Sequence, residues 1–325
     1  MKVKLVSESF LIRGTFTISR GSRTHANVVV VELQQGEYIG RGECVPYARY
    51  GESIESVLAE LETLVAKIES GLTREQMQSL LPAGAARNAL DCAYWDLACK
   101  QQGQRIWERI PVAQPISLTT AFTLSLDTPE RMKKAAIDNA HRPLLKLKLA
   151  GEGDIARVTA VREGSPKARI VVDANEGWDE ALYLEIVPEL VKLGVEMIEQ
   201  PFPADNDAAL EHLPRPITLC ADESCHDRTS LPKIIGRYDM INIKLDKTGG
   251  LTEALELKKA AQQANLQIMV GCMLATSLAM APAFVIAQGV DVVDLDGPLL
   301  LAEDRESPFT FTESLMHVCD AELWG

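Results

Sequence analysis

Residues 144–175 read LLKLKLAGEGDIARVTAVREGSPKARIVVDAN, and this stretch decides the fold of the chain. Two segments rich in apolar and β-branched residues, LLKLKL (144–149) and RIVVDAN (169–175), enclose a segment whose pattern is helical. A strand, a helix and a second strand at this spacing predict a parallel strand pair with a crossover helix. The rest of the fold follows from the repetition of this unit.

Eight such β-rich segments follow residue 115, and successive segments start roughly 22–28 residues apart, with helical patterns between them. Eight parallel strands joined by helices predict an α/β fold, a (β/α)7β TIM-like barrel over residues 113–299. The segments are ISLTTAFTL, LLKLKL, RIVVDAN, VEMIEQP, ITLCADE, MINIKLD, QIMVGC and VVDLDG.

The first part of the 325-residue chain has a different pattern. Residues 1–43 predict strands, and residues 54–70 and 84–102 predict helices, because apolar residues recur three and four positions apart. We therefore expect an α+β capping domain over residues 1–112, to which residues 300–325 return.

Composition limits the classes of partner. The net charge of −13 argues against nucleic acid and anionic membranes, which need clustered Lys and Arg. The apolar run at residues 272–290 contains polar residues and Pro282, which favours a buried helix over a membrane span. Seven scattered cysteines and an N-terminus without a signal-peptide pattern predict a reduced cytoplasmic protein.

Charged residues end most of the barrel strands, at the edge where barrel enzymes carry their active sites. In LLKLKL, Lys146 and Lys148 share one face of the strand, and the leucines share the other. The leucines should pack on the helices, which turns both lysines into the barrel. Buried lysines are costly unless they are paired, so we expect acidic partners there.

Acidic residues end the next three strands: Asp173, Glu199 and Asp222. Three carboxylates near one axis repel one another unless a cation lies between them. Their hard oxygen atoms suit Mg²⁺, with Mn²⁺ as a substitute. None of the five histidines falls at a strand end, which argues against a zinc or di-iron site.

Lys244 ends the strand roughly opposite Lys148. Two lysines flanking a metal suit the removal of a proton next to a carboxylate, because the metal stabilises the resulting enediolate. A lysine close to a metal and to another lysine is disfavoured as ammonium, so it can act as a neutral base. One base on each face predicts inversion of the carbon.

The motifs KLK (146–148), VVDAN (171–175), IEQP (198–201), ADES (221–224) and NIKLDKTGG (242–250) resemble the muconate-lactonizing subgroup of the enolase superfamily. The resemblance covers essentially the whole chain. It implies Mg²⁺ ligation by Asp173, Glu199 and Asp222, acid/base roles for Lys148 and Lys244, and contact of Lys146 with the substrate carboxylate.

Within that subgroup the chain is most similar to the dipeptide epimerases, which implies a small-molecule substrate, a dipeptide. The resemblance also implies interconversion of L-Ala-D-Glu and L-Ala-L-Glu and a role in murein peptide breakdown. Asp294 and Asp296 (DLD) would then hold the α-ammonium of the dipeptide, and Arg23 in RGSR (20–23) the glutamate side chain. Thr123 and the backbone around Cys272 and Leu274 would line the substrate. A homo-oligomer would agree with the family, although no interface is evident.

Three alternatives stay open on the sequence. A cycloisomerase, an o-succinylbenzoate synthase or an N-acylamino acid racemase would share the lysines and carboxylates. GEGDIA (151–156), with Asp173 about 20 residues on, mimics a dinucleotide-binding fingerprint. A barrel that binds a ligand or metal without catalysis is the third.

Overall fold

The computed structural model describes all 325 residues as a capping region of three antiparallel strands and four helices in front of an eight-stranded parallel sheet. The capping elements are β1 (Lys2–Ile18), β2 (Gly21–Gln35), β3 (Tyr38–Cys44), α1 (Ile54–Glu62), α2 (Val65–Glu69), α3 (Arg74–Met77) and α4 (Ala85–Gln102). The predicted helix over 54–70 is therefore two helices, and the one predicted over 84–102 is continuous.

The parallel sheet and its connections occupy the middle of the chain. Its elements are β4 (Leu118–Thr119), β5 (Phe122–Leu124), α5 (Pro129–Asp138), β6 (Leu144–Lys148), α6 (Asp154–Gly164), β7 (Arg169–Asp173), α7 (Glu180–Lys192), β8 (Val195–Glu199), β9 (Thr218–Ala221), α8 (Leu231–Ile234), β10 (Met240–Ile243), α9 (Leu245–Thr248), α10 (Leu251–Gln263), β11 (Gln267–Gly271), α11 (Ser277–Ile286), β12 (Val292–Asp294) and α12 (Gly297–Leu300).

The sheet runs in sequence order from β5 to β12, and its two edges meet where the Ala121 N–H donates to the Val293 carbonyl at 2.8 Å. The predicted barrel is confirmed, with two local differences. The segment predicted as the first strand splits into β4 and β5, and β4 pairs outside the barrel with β14 (Leu315–Met316), itself paired with β13 (Phe311–Thr312). Between β8 and β9 the connection holds only the 3₁₀ turn Ala208–Glu211.

The valine run 28–31 joins the two regions. Alternate side chains of β2 enter different cores: Val28 and Val30 pack in the core shared with the barrel, whereas Val29 and Val31 pack against α1 and α4. A strand buried on both faces has a continuous apolar sequence, as here. Gly42 of β3 lies so close to α4 that a Cβ would overlap the backbone of Ala89, so the position requires glycine.

The last residues of the chain contact the capping region. Arg41 donates to the carbonyls of Glu322 and Leu323, at 2.7 and 2.9 Å, and Gly325 N–H donates to Asp96 at 2.8 Å. The division of the chain at residues 112 and 299 stays a prediction. Residues 277–286 form a buried helix, and no helix of the structure has the length and apolarity needed to cross a membrane.

Candidate active site

The barrel strands place their charged side chains at one edge of the sheet. On β6, Leu145 and Leu147 are fully buried in the core between strands and helices, while Lys146 and Lys148 point to the barrel axis and contact carboxylates. This is the alternation expected from the two-residue period of a strand. The lysines are 1% and 8% exposed, so water does little to solvate their charge.

The first half of this polar centre is built around Lys146. Its ammonium lies 2.6 Å from Glu199 Oε2, 2.7 Å from Asp294 Oδ2 and 3.5 Å from Asp173 Oδ2. Lys148 lies 2.6 Å from the same Asp173 oxygen. Although burial opposes ionisation of Asp173, the charges of Lys148 and Lys146 lower the pKa of this carboxyl group to about 2.

The second half is built around Asp222. Lys244 Nζ lies 2.6 Å from Asp222 Oδ2 and 3.8 Å from Glu199 Oε1, and Lys247 Nζ lies 2.6 Å from Asp222 Oδ1. Burial opposes the charge of Asp222, but Lys244 and Lys247 hold its pKa well below the usual range. Lys247 belongs to the quoted motif NIKLDKTGG, yet its sequence position gave no sign that it contacts Asp222.

The expectation of a neutral lysine base beside a metal stays a prediction, and the charges of the protein alone favour the ammonium form of Lys244. Burial favours the neutral amine of Lys244, but the charges of Asp222 and Glu199 outweigh it and raise the pKa of Lys244 well above its ordinary value. A neutral Lys244 therefore requires that part of the surrounding negative charge be neutralised. Burial, followed by the charge of Asp173, raises the pKa of Glu199, whereas the lysines lower the pKa values of Asp173 and Asp222.

Two amide side chains contact the acidic residues of the centre, one at a carboxylate and one at a backbone N–H. Asn242 Nδ2 donates to Glu199 Oε1 at 2.7 Å, and Gln200 Oε1 accepts from the Asp222 N–H at 2.9 Å and the Ser224 N–H at 3.1 Å. Gln200 is fully buried with φ +37°, a conformation rare outside glycine. Both amides lie in or beside the quoted motifs, but sequence alone does not reveal these contacts.

The aspartates of DLD lie in the same centre but have separate partners. Asp294 pairs with Lys146, and Asp296 Oδ2 accepts from the Thr123 backbone N–H at 2.6 Å. Asp294 Oδ1 is buried without a hydrogen-bond partner. Burial, followed by the charge of Asp294, raises the pKa of Asp296 to about 7.

A cavity with an empty volume of about 550 Å³, which includes space open to solvent, lies between the capping region and the barrel edge. Lys148, Asp222 and Lys244 line its floor, and the segment Cys272–Leu274 lines its side. Lys146, Asp173, Glu199, Thr123 and the two DLD aspartates lie outside its lining. The capping region contributes Phe16, Ile18, Arg20, Arg23, Tyr47 and Tyr50.

Arg20 and Arg23 differ in what they contact. Arg23 is exposed, its guanidinium lies 5.2 Å from the centre of the Tyr47 ring, and it forms no ion pair. Arg20, which the sequence did not single out, lies 2.7 Å from Glu223 Oε1. Burial, followed by Asp222, raises the pKa of Glu223 to about 7, and its Oε2 has no hydrogen-bond partner.

The donor set of the centre suits a hard divalent cation: three carboxylates from the consecutive strands β7, β8 and β9, without histidine or thiolate. No three acidic, histidine or cysteine side chains converge on one point at ligand distance, and lysine ammonium groups lie among the carboxylates instead. The residues therefore fit a magnesium ion by chemistry, and binding it requires the lysines to withdraw from the carboxylate oxygens.

The dinucleotide alternative does not fit the geometry. Asp154 opens α6 and is fully buried; its carboxylate accepts from the N–H groups of Ala150 and Gly151 and from Trp178 Nε1. In the segment that mimics the fingerprint, the carboxylate of Asp154 therefore already occupies backbone N–H groups.

Comparisons with known proteins agree with this architecture. Residues 1–110 match the model of the mandelate racemase/muconate lactonizing enzyme N-terminal domain, and residues 130–322 match the enolase C-terminal domain-like model. The chain is 47% identical to the L-Ala-D/L-Glu epimerase of Escherichia coli (strain K12), covering 97% of this chain and 99% of that one. It is 45% identical to an N-acetyl-D-glutamate racemase of a Pseudoalteromonas species, covering 92% and 95%.

Solved structures give the same result. An enolase family member from Agrobacterium tumefaciens with homology to dipeptide epimerases, solved with sodium and L-Ala-L-Glu, superposes with a TM-score of 0.98 at 49% identity over 99% of both chains. A dipeptide epimerase from Enterococcus faecalis, solved with Mg and L-Leu-L-Tyr, superposes with a TM-score of 0.90 at 27% identity over 98% and 96% of the chains.

Proposed function

We propose, from the premise that this chain belongs to the mandelate racemase/muconate lactonizing enzyme family and is an isomerase, that it interconverts L-Ala-D-Glu and L-Ala-L-Glu. One observation carries the proposal. Lys148 and Lys244 line the same cavity. They lie at the ends of strands that are four places apart in the eight-stranded barrel, so the two lysines lie on opposite sides of the barrel axis.

The two lysines act on the two faces of the glutamate α-carbon. When one of them is neutral, it takes the α-proton, and the C–H electron pair moves into the enediolate. The other, as ammonium, returns a proton to the opposite face, so the carbon inverts and the lysines exchange protonation states. Lys148 is paired with Asp173 and Lys244 with Asp222, and both amines would withdraw from these carboxylates when Mg²⁺ binds.

Asp173, Glu199 and Asp222 would hold Mg²⁺. When bound, the ion supplies positive charge that stabilises the enediolate. Lys146, paired with Glu199 and Asp294, would face the α-carboxylate of the substrate. Dialysis against EDTA should abolish epimerisation, and Mg²⁺, with Mn²⁺ as a substitute, should restore it.

The substrate assignment rests on the charges around the cavity. Arg23 offers an unpaired guanidinium at the capping side, which suits the glutamate side chain. The buried carboxylates of Asp294 and Asp296 suit the α-ammonium of alanine. Thr123 lies against Asp296, and Cys272 and Leu274 line the cavity wall where a dipeptide backbone would run.

A second candidate, racemisation of N-acyl glutamates, is favoured by one observation. Asp294 is paired with Lys146, and Asp296 accepts from the Thr123 N–H, so part of the negative charge meant for an ammonium is already compensated. N-acyl substrates carry no ammonium. Their recognition would need Arg23 and the lysines alone.

Chiral chromatography of L-Ala-L-Glu and N-acetyl-L-Glu after incubation with enzyme and Mg²⁺ separates the two candidates. We expect a kcat/KM about 10- to 150-fold higher for the dipeptide, because an ammonium–carboxylate hydrogen bond in a buried site contributes about 1.5–3 kcal/mol. Asp296→Asn should weaken dipeptide binding more than Mg²⁺ binding. Equal rates on both compounds, or equal loss of dipeptide and Mg²⁺ binding, would reject the ammonium role.

The wider setting follows from the substrate. Breakdown of murein peptides would supply L-Ala-D-Glu, and conversion to the L,L form would make it accessible to peptidases for L-residues.

Under the same proposal the capping domain comprises residues 1–112 and 300–325 and the catalytic barrel residues 113–299. Expression of residues 113–299 alone should give a protein without epimerase activity, since Arg23 and Tyr47 would be missing.

A further inference from the structure

Glu176 is a barrel residue that contacts both loops of the capping region above the cavity. Its carboxylate accepts from Arg49 Nε and Nη2, both at 2.8 Å, and from Arg20 Nη1 at 3.2 Å. It also accepts from the Ala204 backbone N–H at 2.8 Å, and its side chain is 9% exposed. One carboxylate therefore joins the loop around Arg20, the loop around Arg49 and two loops of the barrel.

The backbone at this place has an unusual conformation. Asn175 and Glu176 have φ angles of +47° and +67°, in the left-handed region that glycine favours. The Glu176 N–H donates to the Gln200 carbonyl at 2.9 Å, and the Asn175 carbonyl accepts from Arg20 Nη1 at 3.0 Å. These contacts offset the cost of the conformation, which turns the Glu176 side chain toward the capping loops.

A short chain of contacts links Glu176 to Arg23. Arg20 donates from Nη1 to Glu176 and from Nη2 to the Tyr47 hydroxyl, the latter at 3.1 Å. Arg23 lies over the ring of that same tyrosine. Moving Arg20 would therefore move the surface on which Arg23 rests.

The three arginines near the cavity opening differ in whether a carboxylate pairs with them. Glu176 pairs with Arg20 and Arg49, and Glu223 pairs with Arg20. Arg23 alone keeps an uncompensated charge next to the cavity. An anionic substrate side chain then meets one cation at one position, and a neutral side chain has no matching partner.

We propose that Glu176 is a specificity-positioning residue, which holds Arg20 and Arg49 in place so that Arg23 is the single cation presented to an acidic substrate side chain. The inference rests on the proposed epimerase function and deepens it. Glu176 acts through the arginines and has no contact with the reacting carbon. Its loss should therefore affect binding of the acidic side chain and leave proton transfer intact.

Glu176→Gln tests the inference, because glutamine keeps the size of the side chain and an acceptor for the Ala204 N–H. We expect KM for L-Ala-L-Glu to rise about tenfold, as for the loss of one charge-assisted contact, while kcat stays within about twofold. For L-Ala-L-Gln, kcat/KM should change less than about twofold. The preference for the acidic dipeptide thus falls about tenfold.

Glu196→Gln is the matched control. Glu196 pairs with Arg169 at 2.8 Å on the opposite end of the barrel, where both side chains are about half exposed, and its variant should leave both dipeptides unaffected. Arg49→Gln should reproduce part of the Glu176→Gln effect. The double variant should lose no more than the larger single variant, since both substitutions break the same contact.

Hydrogen–deuterium exchange of the substrate-free protein gives a readout independent of activity. Amides of residues 18–23 and 46–51 should exchange faster in Glu176→Gln than in the wild type, and at unchanged rates in Glu196→Gln. Unchanged exchange together with an unchanged preference for L-Ala-L-Glu would overturn the inference. A wild type inactive on both dipeptides would instead overturn the proposed function, while the exchange result would still test whether Glu176 holds the loops.

Discussion

The inward-facing side chains of the barrel strands are apolar at one end of the barrel and mostly charged at the other. At the amino-terminal end, the inward side chains form an apolar cluster: Ala121, Leu144, Val171, Met197, Cys220, Met240, Met269 and Val292. Two residues further along most of these strands the inward side chains are Lys146, Asp173, Glu199, Asp222, Asn242 and Asp294. One step of the strand period separates an ordinary core from a network of buried charges.

The difference shows how stability and chemistry are separated within a single sheet. The apolar end packs without polar groups and stabilises the barrel, as the amino-terminal face of such barrels does. The charged end contains paired lysines and carboxylates whose burial is costly, and it includes the left-handed residues Asn175, Glu176 and Gln200. Substitutions at the two ends should therefore have separable effects.

The largest expected effect is at the charged end. Lys148→Ala should lower kcat for epimerisation by about 10²–10⁴, because it removes one of the two proposed acid/base groups. Chiral chromatography of L-Ala-L-Glu gives the rate. Lys192→Ala, which removes a lysine side chain that is 70% exposed, is the control and should be neutral. A Lys148→Ala variant with wild-type kcat would assign the chemistry elsewhere.

Met197→Ala tests the apolar end. Met197 is 2% exposed in the apolar cluster, so its truncation leaves a cavity and should reduce the free energy of unfolding by about 2–5 kcal/mol. Urea unfolding measures the loss, and Met197→Leu should cost less than about 1.5 kcal/mol. At a temperature where the variant is folded, kcat should stay within twofold. A large fall in kcat without a change in stability would contradict the separation of the two ends.

Asp246 lies at the boundary between the barrel edge and the capping region. Its Oδ1 accepts from the Val45 N–H at 3.0 Å and from Asn88 Nδ2 at 2.9 Å, and burial raises its pKa to about 7. A raised carboxyl pKa contributes stability that is fully present below about pH 4 and is lost as pH rises through about 7. Asp246→Asn keeps an oxygen that accepts these hydrogen bonds, but it has no carboxyl group to ionise, so it does not lose this stability as pH rises.

Relative to the wild type, Asp246→Asn should therefore gain roughly 3 kcal/mol in free energy of unfolding between pH 4 and pH 8. Urea unfolding over this pH range measures the difference. Asp138→Asn, at a side chain that is 56% exposed, should show no such trend. A difference between Asp246→Asn and the wild type that does not vary with pH would mean that Asp246 is ionised throughout.

The smallest expected effect concerns the residues behind the carboxylates. Asn242→Ala removes the donor to Glu199, and we expect Mg²⁺ to bind about 10–100-fold more weakly in calorimetric titration. Asn27→Ala, on the exposed side of β2, is the control. Unchanged Mg²⁺ affinity in Asn242→Ala would remove Glu199 from the proposed ligands or show that it needs no support.

Much of this arrangement could be predicted from the sequence because strands impose a period of two. That period predicts that Lys146 and Lys148 point inward, and the spacing of the β-rich segments predicts the barrel. The partners of the side chains could not be predicted in the same way. The contacts of Arg20 with Glu176 and Glu223 join residues more than 150 positions apart, and they depend on how the capping loops lie on the barrel.

The pKa direction of Lys244 shows a second limit. The sequence predicts a neutral amine beside a metal and a second lysine, which stays a prediction, but it does not show that Asp222 and Glu199 by themselves stabilise the ammonium. The balance between burial and charge depends on distances of 2.6 and 3.8 Å, which a strand pattern does not fix. The 3₁₀ turn between β8 and β9 likewise follows from local residues that carry no strong helical period.

The most direct test of the central claim is proton NMR of L-Ala-L-Glu and of L-Ala-D-Glu, in separate samples, with enzyme and Mg²⁺ in D₂O. Two lysines on opposite faces of one carbon predict loss of the glutamate α-proton signal from both epimers, and both samples should reach the same mixture. Persistence of the α-proton signal in both samples would contradict the account, whatever the affinity for the dipeptide.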